Sequence, residues 1–129
     1  MEAERATSRS GGTVESTSDT AGGQDVGKLE NGDSLRFSGV RFGTTAATQF
    51  IARAASGAGG SVSGLVEVRI GSPTATPVGG FAIANTGGWQ SWRTIPANMA
   101  GMTGTQDVYV TFTSGQPSEY VSVNWIKFS

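Results

Sequence analysis

Two carboxylates and one indole are the residues of this sequence whose types and spacing point most directly to chemistry. Glu2 and Glu4 lie two positions apart, so on an extended strand both side chains leave the same face. Carboxylates held that close repel unless a cation or an arginine sits between them. Terminal strands lying side by side would bring Asn124 to the pair. Two carboxylates, an amide oxygen and a backbone carbonyl make a hard-cation site suited to calcium. A solvated acidic N-terminus neutralised by Arg5 is the competing reading. Trp89 follows Gly87-Gly88, a loop tip at which a large apolar ring is costly to expose without a use. An indole stacks on the C–H face of a pyranose while neighbouring polar groups bond the hydroxyls. The alternative is a ring that staples the Gly-rich turn. Trp92, three residues further on and inside a strand, is expected in the core.

Composition removes most other chemistry. The 129 residues include 20 Gly and neither Cys nor His. That excludes a zinc site of the usual kind, a thiol nucleophile, a Ser-His-Asp triad and any disulfide. Only 15% of the residues are charged, against about 25% in ordinary domains. The net charge of -1 supplies no footprint for nucleic acid or an anionic membrane. No apolar run approaches the roughly 20 residues of a membrane-spanning helix. What remains for catalysis is a pair of carboxylates across a cleft, as in a small glycosidase. Glu15, Asp19, Asp25, Glu30, Glu67 and Glu119 are available, but most fall in turns or on an alternating solvent face. Three Trp and two Tyr are few for a row of aromatic subsites. A binding module is therefore expected, with a scaffold domain lacking any sugar site as a third class.

The elements that must carry these residues are strands. In Val66-Glu67-Val68-Arg69-Ile70 apolar and charged residues alternate, as on a half-buried strand. Leu35-Arg36-Phe37, Phe50 to Ala54, and Val108, Val110 and Phe112 follow the same period. Near the C-terminus Val121, Val123 and Trp125 share a face, and the phase slips at Ile126-Lys127-Phe128, which implies a bulge. Glycine pairs break the chain into short segments, and the spacing of these turns predicts about eight to ten short strands. The flexible stretch from Ser56 to Ser63 reads as a hairpin loop. No amphipathic helix of three turns is present. The pattern predicts one all-β sandwich over residues 1–129, with Met1 expected to be an added initiator at a domain edge. No leader precedes Glu2-Ala3-Glu4, so the compartment cannot be read from one.

Six segments in order resemble a family 6 carbohydrate-binding module. They are Glu2-Ala3-Glu4, the run from Glu15 to Gly23, Val26-Gly27 with Glu30-Asn31-Gly32-Asp33, Gly64 to Gly71, Thr86 to Trp92, and Val123 to Phe128. The resemblance implies a jelly-roll β-sandwich of two antiparallel sheets. It implies a non-catalytic, secreted and monomeric module that targets an appended glycoside hydrolase to a polysaccharide. The implied ligand is a β-glucan such as β-1,3-glucan, or xylan, with galactan or a uronate-bearing glycan as alternatives. The Asn31-Gly32-Asp33-Ser34 run is also similar to the related family 35 modules, some of which bind uronic acids. A structural calcium is implied, held by Glu2, Glu4, Asn124 and a carbonyl from the Asp19–Gly22 turn, that of Thr20. The family more often has Asp where this chain has Asn124, which removes a charge. Trp89 matches one wall of the cleft among the loops. The second aromatic wall is expected just after Asn31-Gly32-Asp33, where Ser34 stands. Ser122 stands where the family has Asn, and Tyr120 is a candidate replacement wall. Arg36, Arg41 and Arg93 could bind a carboxylate on a sheet face, although a solvated strand edge accounts for them as well.

Overall fold

Alternating apolar and polar residues build eight antiparallel strands in the computed structural model, which describes residues 1–20 and 22–129. A 3-10 turn at Ala3–Arg5 comes first. The strands are β1 (Ser8–Ser10), β2 (Thr13–Ser16), β3 (Gln24–Leu29), β4 (Ser34–Ser56), β5 (Gly64–Ile70), β6 (Gly79–Ile83), β7 (Gly88–Thr113) and β8 (Val121–Phe128). The number of strands matches the spacing of the turn signals. Their lengths do not, because β4 and β7 hold 23 and 26 residues.

A straight strand of that length would run about 75–85 Å, against a radius of gyration of about 14 Å for a domain of this size. Both strands must therefore bend back on themselves. The bends fall at register shifts from Phe37 to Ala47. There Gly39, Gly43 and Gly104 take φ of 67°, 82° and 72°, a region that costs glycine little. These single glycines are thus bends within continuous ladders.

Each long strand consequently serves two layers. The first half of β4 pairs with β1 and with the end of β7, whose other edge carries β5 and then β6. The second half of β4 lies between the start of β7 and β8, and β8 continues to β3 and β2. The result is a jelly-roll β-sandwich of two antiparallel sheets. β4 and β5 do not pair with each other, so residues 57–63 cross from one sheet to the other instead of closing the expected hairpin.

The core lies between the layers and follows the period of two. Leu35, Phe37, Val66, Val68, Val108, Val110 and Phe112 come from one sheet, and Val26, Leu29, Phe50, Ala52, Val121 and Val123 from the other. On β8 the slip comes earlier than the alternation indicates. Register against β4 shifts between Arg53 and Ala54, opposite Asn124, so Ile126 takes the next core place and Trp125 is only half-buried. This bulge at Asn124 is one of the features that set up the site.

Candidate functional site

Trp89 stands on a turn that is held rigidly. The Thr86 hydroxyl accepts from Ser56 N–H at 2.9 Å and donates to the Ser91 carbonyl at 2.7 Å. Asn85 Oδ1 accepts from Gly87 N–H at 2.7 Å, and its Nδ2 reaches the Ala58 carbonyl at 2.9 Å. Gly57 lies flat beneath the indole, and a Cβ there would come within 2.6 Å of Trp89 Cδ1. One edge of the ring is thereby seated while 37% of the residue stays exposed. A large ring on a turn tied by these bonds, and still open to solvent, is preorganised for a flat apolar ligand surface.

Two hollows flank this ring. One, of about 580 Å³, is lined by Glu30, Gly57 to Gly59, Val62 and Pro117 to Glu119. The other, of about 310 Å³, is lined by Glu15, Ser16, Lys28, Gln90, Glu119 and Ser122. Indole, hydroxyl, amide, ammonium and carboxylate groups therefore surround one apolar face, the composition that a sugar ring with its hydroxyls requires. Glu15, Glu30 and Glu119 outnumber Lys28, so the rim is acidic.

The structure distributes the sequence candidates unevenly. Ser122 lies in the second hollow beside Trp89. Tyr120 does not: it is fully buried, and its hydroxyl donates to the Leu65 carbonyl at 2.6 Å. Burial pushes its phenol well above the ordinary range. The side chain that faces the cleft from this segment is its neighbour Glu119. Ser34 is not a wall either, since it starts β4 opposite Ser10 and Thr111 and lines neither hollow. Lys28 occupies the cleft instead. It has a φ of 56°, at the register shift between Val26 and Leu29. Nothing in the local sequence marks that bulge. Trp92 is half-buried rather than core, with Nε1 donating to Gln90 Oε1 at 3.2 Å.

Gln90 ties the cleft to the strands behind it. Its Oε1 accepts from Ser18 N–H at 2.8 Å and its Nε2 donates to Asp25 Oδ2 at 3.4 Å. Asp25 is completely buried, its Oδ1 has no partner, and it faces Glu15 directly across β2 and β3. Burial, and then the Glu15 carboxylate, raises Asp25 from 3.8 to about 7. Glu15 in turn folds over Gly27, where a Cβ would displace its carboxylate.

At the N-terminus, Glu4 sits in the 3-10 turn Ala3–Arg5 and not on an extended strand, while Glu2 is the extended N-cap of that turn. They remain close. Burial raises Glu4 above its ordinary 4.5, the Glu2 carboxylate adds to the rise, and Glu4 Oε2 is buried with no hydrogen-bond partner. Glu2 bridges to Trp125, next to Asn124. Asn124 Nδ2 donates to Asp19 Oδ2 at 2.8 Å, and Asp19 Oδ1 accepts from Thr20 N–H at 2.9 Å. Arg53 grips the same carboxylate at 2.7 and 3.0 Å and lowers Asp19 to about 2. Asp19 thus links the Thr20 N–H to the Asn124 amide. Among the described residues no three acidic side chains converge on one point. Arg36 and Arg93 do not gather with Arg41: the first pairs with Asp107 at 3.5 Å, and the second donates to the Thr86 carbonyl at 3.2 Å.

Two curved antiparallel sheets with an aromatic platform among the loops at one end define a lectin-like β-sandwich. The family model described as carbohydrate binding module (family 6) matches residues 2–129, and the chain belongs to that family. A solved β-1,3-glucan binding module of the family from Bacillus halodurans superimposes with a TM-score of 0.90 at 38% identity, covering 99% of this chain and 92% of that one. A family 6 module from Clostridium cellulolyticum, solved in complex with xylose, gives 0.89 at 37% identity over 100% and 95%. Among whole enzymes, the chain is 30% identical to endo-1,4-beta-xylanase A of Thermoclostridium stercorarium over 88% of its length and 21% of the enzyme's. It is also 30% identical to an arabinoxylan arabinofuranohydrolase of Paenibacillus polymyxa, over 100% of this chain and 20% of the enzyme. The chain thus spans about a fifth of the length of these relatives, in which the module is one domain among others.

Proposed function

We propose that this module binds a neutral β-glucan or xylan chain, β-1,3-glucan foremost, in the cleft over Trp89. In this reading it performs no catalysis and holds an appended glycoside hydrolase domain on extracellular polysaccharide. The observation that carries the reading is the rigid, exposed Trp89 indole between two hollows lined with hydrogen-bonding groups. The acidic rim favours neutral sugars, because a uronate there would meet Glu15, Glu30 and Glu119. The relatives that bind β-1,3-glucan or were solved with xylose support the same ligand class. A non-catalytic role is supported by the engagement of several acids elsewhere: Asp19 with Arg53, Glu67 with Arg69, and Asp25 within the fold. One aromatic platform and a few hydroxyl bonds must offset ligand immobilisation, so dissociation constants should be micromolar to millimolar.

Calcium belongs to the same proposal. The buried, unpartnered Glu4 oxygen beside Glu2 fits a cation, and Glu2, Glu4 and the Asn124 amide oxygen would hold it with a carbonyl from Thr20. The replacement of Asp by Asn124 should weaken it. Excess chelator should lower the melting temperature, and an unchanged melting curve would count against the metal. The glycan reading is tested by affinity electrophoresis in laminarin, xylan, galactan, agarose and a uronate polymer. Retardation by laminarin or xylan is expected, and passage through both without delay would sink it.

A further inference from the structure

β8 runs from Ser122 at the Trp89 cleft to Phe128 at the other end of the sandwich. From Ser122 to Lys127 is five residues, about 17 Å along a strand. At that far end lies a groove of about 730 Å³, larger than either hollow beside Trp89 and well within the size range of ligand sites. Its base is apolar, formed by the buried Phe37 and Ala47. Phe42 and Phe128 line it as an edge-to-face pair, with centroids 5.0 Å apart.

Its charge is opposite to that of the sugar cleft. Arg5, Arg41 and Lys127 line it, against one side-chain carboxylate, Glu2. Among the described residues Arg41 takes part in no ion pair. Lys127 Nζ lies 5.5 Å from the Trp125 ring centroid, a contact that holds the ammonium in place without neutralising it. The Arg5–Glu2 pair is 82% and 55% exposed, so it is weak and leaves the guanidinium free to exchange partners. Three of the nine cations in a chain of net charge -1 therefore gather around one aromatic groove.

We propose that this groove is a second ligand site, which takes a carboxylate-bearing saccharide. Phenyl rings offer a surface to the C–H face of a uronate ring, and the Arg41 fork with Lys127 matches its carboxylate. Neutral glucans would find the ring surface without the charge complement and bind there weakly. The two sites would let one module distinguish neutral from acidic stretches of a cell-wall polysaccharide. This site stands independently of the Trp89 cleft, and it shares only Glu2 with the proposed calcium site.

Isothermal titration with tetragalacturonate and with laminaritetraose tests it. Wild-type protein should bind tetragalacturonate, and Arg41→Gln should weaken that binding at least fivefold. Arg41→Gln combined with Lys127→Gln should abolish it, while Trp89→Ala leaves it unchanged. Laminaritetraose binding should show the reverse dependence. Both cations are exposed, and a thermal melt checks that the variants stay folded. Failure of tetragalacturonate to bind overturns the proposal. So does binding that survives the double substitution or is lost in Trp89→Ala, since either places the uronate elsewhere. Equal affinity for tetraglutamate would also overturn it, because the groove would then recognise charge alone.

Discussion

At the Ser122 end of β8 a single indole is seated against Gly57 on a turn tied by Thr86 and Asn85, and the rim above it is acidic. At the Phe128 end the rings lie lower, and the polar groups are cations on long, exposed stems. Both sites border β8, at its opposite ends, so the fold itself selects neither ligand. Preorganisation separates them. The Trp89 platform has lost its freedom before any sugar arrives, whereas Arg41 must be ordered on binding, at a cost of about 0.5–1.5 kcal/mol per side chain. The first arrangement favours affinity for an uncharged face, and the second favours selection by charge.

The strongest way to break this comparison is to remove the platform. Trp89→Ala should cost neutral-glycan binding about 2 kcal/mol or more, roughly thirtyfold, as truncation of a central aromatic does. It should leave tetragalacturonate untouched, and calorimetry on both ligands would reveal equal losses if the ends were not separate. Gly57→Ala tests the seat rather than the ring. Its Cβ would come within 2.6 Å of Trp89 Cδ1 and push the indole out of position. A loss of about tenfold for laminaritetraose is expected, and an unchanged isotherm would show that the seat is irrelevant.

Tyr120→Phe separates fold from site. It deletes the 2.6 Å bond to the Leu65 carbonyl and should cost about 1 kcal/mol of stability. Because Tyr120 lies outside both hollows, laminarin retardation should not change. A further prediction concerns pH. A carboxyl raised from 3.8 to about 7 favours folding fully below 3.8, and that contribution is lost as pH rises through about 7. Asp25→Asn should therefore flatten the fall in melting temperature between pH 5 and 8, and parallel slopes in the two proteins would contradict the buried acid pair. Asp19 acts in the other direction: its contribution is present above 3.8 and lost as pH falls through about 2.

How far residues alone reveal this molecule depends on how local the cause is. Alternation marks the core of β5 and the end of β7 because burial on one face acts residue by residue. Gly87-Gly88-Trp89 marks the platform because two glycines make a turn and leave the indole at its tip, where exposure is costly unless a ligand covers the ring. Tyr120 and Glu119 look alike in the sequence, since neighbouring side chains in a loop have no period to show which turns inward. Lys28 is hidden for a related reason: its outward placement comes from a bulge that only the pairing of β3 with β8 creates. Ser34 follows Asn31-Gly32-Asp33 and so points to the cleft by its place in the chain, yet register sets it beside Ser10 and Thr111. The two long strands are illegible because a glycine bend inside a ladder and a glycine turn between ladders have the same composition.

The most direct test follows the three tryptophan indole N–H resonances while laminaritetraose is added, with Trp89 assigned by its absence from the Trp89→Ala spectrum. The Trp89 signal should move and saturate with the ligand, while that of Trp125, beneath Lys127 at the other end, stays in place. A still Trp89 with a moving Trp125 would put the neutral glycan in the wrong end of the molecule and contradict the account.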